Sequence, residues 1–90
     1  MVNSLHGGFY DSRRYFELDD ELTAITPHSD VVIDMATTEY LDASSVSLLI
    51  RHLGVWRRQK PGTQLRLINV RPELAEAMRA TKLDALFFIN

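Results

Sequence analysis

Ninety residues are enough for one hydrophobic core and too few for two, and a composition 46% hydrophobic and 24% charged is that of a folded globular domain. The absence of cysteine excludes disulfide frameworks, thiolate metal sites and thiol nucleophiles. A net charge of −2 speaks against general nucleic-acid binding.

The opening MVNSLHGGFYDSRR lacks both a basic start with an apolar stretch and an Arg/Ser-rich amphipathic pattern, and no apolar run reaches membrane-spanning length. A cytoplasmic protein without membrane insertion is therefore expected. From Asp11 onward, Tyr15, Leu18, Leu22 and Ile25 recur at intervals of three and four, with Asp11 or Ser12 as N-cap, which predicts a helix ending before Pro27. VVIDM, residues 31–35, is a short apolar run between polar segments, as expected of a buried central parallel strand. After Leu41-Asp42, the residues Val46, Leu49, Ile50, Leu53 and Trp56 stand at helical spacing up to Lys60-Pro61-Gly62, predicting a second helix over Ala43–Gln59. Residues 64–70 predict a strand. Pro72 then fits the first position of a third helix lined by Leu74, Ala77, Met78 and Thr81, and residues 86–89 a last short strand. Strand, helix, strand, helix, strand with short connections implies an α/β domain with right-handed crossovers and a mostly parallel sheet.

Charge is divided along the chain. The first 45 residues carry nine acidic residues against Arg13 and Arg14, and the last 45 carry eight basic residues against Glu73, Glu76 and Asp84. Either neighbouring elements compensate each other in the fold, or the division builds a polar docking surface.

The segment richest in chemistry is Leu41-Asp42-Ala43-Ser44-Ser45-Val46-Ser47, where a parallel strand hands over to a helix. Asp42 can accept hydrogen bonds from the free amides of the first turn, a cap worth about 0.5–2 kcal/mol. The same helix start, with open amides and three serine hydroxyls, also suits docking of a partner or receipt of phosphate. His6, His28 and His52 have no second ligand at i+3 or i+4, so no metal site is expected. No Gly-x-Ser-x-Gly elbow or phosphate loop occurs, and neither catalysis nor a cofactor is expected. Trp56, with Leu48 and Val55, widens the apolar side of the second helix, either as extra core or as a partner surface.

In order, VVIDM, LDASSVSLL, the KPG turn, LRLINV, the Pro72-led helix and Thr81-Lys82-Leu83 resemble the running pattern of the STAS family of anti-sigma factor antagonists and related transporter domains. The resemblance implies a STAS-type sheet of about four strands with helices packed on it. The usual first edge strand is expected to be lacking, because the family opens with a hairpin and only about ten residues, enough for one strand over residues 2–9, precede Asp11. The open edge would allow a homodimer through the N-terminal strand. It also implies a non-catalytic protein-binding module whose partner is an anti-sigma factor or a switch kinase of the ATPase fold. The partner would be held by Asp42, Ala43, Ser44, Ser45, Ser47 and Leu48 with the face around Arg51 and His52. Family antagonists are phosphorylated on the serine after the aspartate. That position is Ala43 here, so Ser44 is the remaining candidate for phosphorylation. Ser45 and Ser47 stand where glycine is frequent and are expected to stiffen the first turn. Lys82 replaces a glycine and would carry strain of about 1–2 kcal/mol if left-handed. The alternative role is a small STAS subunit or regulatory domain of a membrane transport complex, of the ABC or anion transporter kind.

Overall fold

The computed structural model describes residues 2–80 and 87–89. Its elements are β1 (Val2–Ser4), β2 (Phe9–Tyr10), a 3-10 turn (Ser12–Arg14), α1 (Tyr15–Thr23), β3 (Asp30–Asp34), β4 (Tyr40–Leu41), α2 (Ala43–Gln59), β5 (Gln64–Ile68), α3 (Pro72–Ala80) and β6 (Phe88–Ile89). Four strands form a wholly parallel sheet in the order β1-β3-β5-β6. The α/β class and the mostly parallel sheet of four strands are as the sequence implies.

Alternation along β3 and β5 places Val31, Ile33, Leu65 and Leu67 on one side of the sheet. There they join Leu18 and Leu22 of α1, Val46, Leu49, Leu53 and Trp56 of α2, and Leu74 and Met78 of α3 in a single core. All three helices thus cover one face. Trp56 and Leu48 are core residues, which decides for the packing role of the wide apolar side of α2.

Several expectations need correction. Asp11 is an N-cap as its position suggests, but of a 3-10 turn, accepting from the Arg13 amide at 2.9 Å, and α1 proper starts only at Tyr15. The anticipated strand over residues 2–9 is split. Only β1 joins the main sheet, while β2 pairs in parallel with β4 in a separate two-stranded sheet, Phe9 opposite Tyr40 and Tyr10 opposite Leu41. The reason lies in the loop between them, which is pinned to α1. The Gly7 amide donates to the Tyr10 hydroxyl (2.6 Å), that hydroxyl donates to Glu21 Oε2 (2.6 Å), and the His6 amide donates to Glu21 Oε1. A Cβ at Gly7 would lie 2.9 Å from the Tyr10 ring, so glycine is required for this approach. Burial of the phenol, reinforced by the Glu21 hydrogen bond, raises the Tyr10 pKa far above its ordinary value.

The 31–35 run is central but is not buried on both sides, since Val32 and Asp34 are only half-buried. The third helix buries Leu74, Ala75 and Met78 and leaves Ala77 exposed. Thr81, Lys82 and Leu86 lie outside the described residues, and with them the expected strain at Lys82.

Candidate functional site

Strand β4 hands over to α2 at Asp42, whose extended backbone (φ −81°, ψ 177°) leaves its side chain to close the first turn. Asp42 Oδ1 accepts from the Ser45 amide at 2.9 Å and from the Ser44 hydroxyl at 2.7 Å. Partial burial pushes the Asp42 carboxyl upward, but the bonds from Ser44 and Ser45 outweigh it and hold the pKa below the ordinary carboxylate value. The main chain is tied as firmly. Tyr10 O accepts from the Asp42 amide at 3.1 Å and from the Ser45 hydroxyl at 3.2 Å. Ser45, fully buried, therefore links the helix start to β2, an added hydrogen bond that glycine at this position would not provide.

These bonds sort the candidate residues. Ala43, Ser47 and Arg51 are exposed, and Asp42 and Ser44 are half-buried. Ser45, Leu48 and His52 are buried and cannot be contact residues in this conformation. His52 in particular does not belong to an exposed face with Arg51. Its Nε2 lies 2.7 Å from Asp19 Oδ1 on α1, and its ring tilts against Trp56 with centroids 5.8 Å apart. The cause is the helix period, which turns position 52 toward α1 while position 51 points to solvent.

Two features of the site escaped the sequence. Phe9 and Tyr40, paired across β2 and β4, stack with ring centroids 4.6 Å apart and remain 46% and 42% exposed, immediately before the helix start. Beside them a cleft of about 170 Å³ is lined by Leu41, Asp42, Ala43, Val46, Ala77 and Met78 together with Tyr40. Strand β4, which hands over to α2, belongs to the small sheet and not to the main one. The signal for this patch was slight: two aromatics, Phe9 and Tyr40, 31 residues apart.

The divided charge is partly compensated in the fold. Asp19 meets His52, Asp30 lies 3.1 Å from Arg66 and Glu39 lies 3.9 Å from Arg71, each joining the acidic half to the basic half. Among the described residues no group of acidic, histidine or cysteine side chains could hold a metal ion, and no helix is long and apolar enough to cross a membrane.

The family model described as "Mlab, STAS domain" matches residues 7–89, nearly the whole chain. The chain belongs to the STAS domain family. No curated protein matches it. Membership makes this STAS domain one of a family of regulatory and binding modules. In this STAS domain the position after Asp42 is an alanine, and the next hydroxyl, that of Ser44, is already donated to the Asp42 carboxylate.

Proposed function

We propose that this STAS domain is a non-catalytic, cytoplasmic regulatory module that resembles an anti-sigma factor antagonist and holds its protein partner at the start of α2. Asp42, Ala43, Ser44, Ser47 and Arg51 form the contact surface with the Phe9–Tyr40 stack and the adjoining cleft. The partner is an anti-sigma factor or a switch kinase of the ATPase fold. The observation that carries this reading is the co-location of exposed stacked aromatics, an open cleft and the rigidly capped helix start on one surface. Exposed apolar area of this kind is what protein interfaces use.

Because Ala43 has no hydroxyl and Ser44 is engaged, the module is an antagonist that phosphate at the usual position does not release. The test places a photo-crosslinking residue at Ala43 and, separately, at Ser47, and includes intact-mass measurement of the domain after incubation with ATP and its captured partner. An ATPase-fold protein crosslinked from both positions, with the domain mass unchanged, is the expected result. Added phosphate on Ser44 would overturn the constitutive reading, and absence of any crosslink from either position would overturn the surface.

Ala43 supports a second reading as well, a small STAS subunit of a membrane transport complex, for which a hydroxyl at that position is not needed. Crosslinking to a transporter ATPase subunit in place of an anti-sigma factor would favour it.

A further inference from the structure

The open face of the four-stranded sheet carries a separate inference. Wholly parallel sheets are ordinarily covered on both faces, whereas here, among the described residues, the helices cover only one. Register lines up a row across the open face: Val2 on β1, Val32 on β3, Arg66 on β5 and Phe88 on β6. Val2 is 56% and Phe88 48% exposed. On the same side of β3, Asp30 and Asp34 stand two residues before and after Val32. Arg66 Nε is 3.1 Å from Asp30, and its guanidinium carbon is 4.9 Å from the Phe88 ring centroid. Asp34 Oδ1 accepts from the Ala36 amide at 2.9 Å and from Asn69 Nδ2 at 3.2 Å, but meets no cation among the described residues.

This row complements its own reversal. A second copy turned by 180° about an axis along the strands and stacked on the open face sets β1 over β6 and β3 over β5. Val2 then lies over Phe88 of the second copy. Arg66 lies over Val32 of the second copy, flanked by Asp30 and Asp34, so the carboxylate without a cation gains one. Each of these contacts occurs twice.

We infer that a second copy of this chain covers the open sheet face, in a two-fold dimer that sets Arg66 of each copy between Asp30 and Asp34 of the other. Three inter-strand spacings by five residues give a face of about 14 by 16 Å. That is roughly 220 Å² per copy, well below the size of stable specific interfaces, so the dimer is a weak, concentration-dependent one. Pairing through the edge of β1 is the poorer route, because that strand is only three residues long and offers few ladder bonds.

The test is sedimentation equilibrium from about 10 µM to about 1 mM, joined to isotope-filtered NMR on a mixture of carbon-13-labelled and unlabelled chains. The expected result is a monomer–dimer equilibrium with intermolecular contacts between the Val2 methyls and the Phe88 ring. Within one chain these groups are about 14 Å apart, too far for such a signal. Phe88→Lys, which sets a second cation beside Arg66, and Val2→Glu, which sets a third carboxylate beside Asp30 and Asp34, should each weaken the dimer at least about tenfold by burying an uncompensated charge. Circular dichroism checks that each variant stays folded, and if one does not, the other and the wild-type contacts decide. A monomer throughout the concentration range, or intermolecular contacts that run from β1 to β1 or from the start of α2, would overturn the inference.

Discussion

The two faces of the main sheet share strands, register and much of their apolar character, yet they differ in what covers them. On the helix side, Val31, Ile33, Leu65 and Leu67 are no more than 1% exposed. On the other side Val2, Val32, Arg66 and Phe88 form a row that meets solvent at both edges. Adjacent residues of one run, Val31 and Val32, thus have different surroundings. An apolar run shows that a strand is central in its sheet. It does not show how many layers pack on it, because that depends on where the intervening helices return.

The contrast can be broken most directly at β3. Ile33→Ala should cost about 2–5 kcal/mol in urea unfolding, through lost burial and a residual cavity. Val32→Ala, one residue away on the open face, should cost about 1 kcal/mol or less in dilute solution. Equal costs would mean that both faces are covered within one chain.

The next effect tests the polar part of the helix side. Tyr10→Phe removes the hydroxyl shared by Gly7 and Glu21 and should cost about 1–3 kcal/mol. Since the folded-state pKa of Tyr10 is raised, wild-type stability should be fully present below the unfolded tyrosine pKa of about 10 and decline as pH rises beyond it. The variant should lack that component, and unfolding titrations at a series of alkaline pH values would read it.

At the start of α2, Asp42→Ala should cost about 0.5–2 kcal/mol at neutral pH. The folded pKa of Asp42 is depressed, so its contribution is present above the unfolded aspartate value of about 3.9 and is lost as pH falls through the folded one. The stability difference between wild type and variant should therefore shrink in acid, and a difference independent of pH would show that the cap does not act through its charge. The smallest effect belongs to the open face: Phe88→Ala should change the stability of the dilute monomer by about 0.5–1 kcal/mol at most, the scale of an exposed cation–π contact with Arg66. A larger loss would place Phe88 in the folding core and sharpen the contrast in the opposite sense.

Local chemistry made much of the fold legible. Helix α2 runs over Ala43–Gln59 as its spacing predicts, because Asp42 supplies a cap at one end and Pro61-Gly62 a stop at the other, with Gly62 at φ 88°. Pro72 opens α3 for a similarly local reason. In the candidate site, Asp42, Ala43, Ser44, Ser47 and Arg51 were legible as surface residues on a capped helix start. Ser45 and His52 were not legible as buried, because their burial depends on contacts with Tyr10 and Asp19, far away in sequence.

By itself the sequence determined the class of the domain, the positions of its helices and central strands, and membership of the STAS family, because caps, stops and hydrophobic period act over a few residues. Tertiary structure decided the split of the first strand between two sheets, the stacking of Phe9 on Tyr40, the engagement of His52 with α1 and the exposure of one sheet face. Strands two residues long carry almost no periodic signal, and which face of an element is covered depends on partners that only the folded chain brings near.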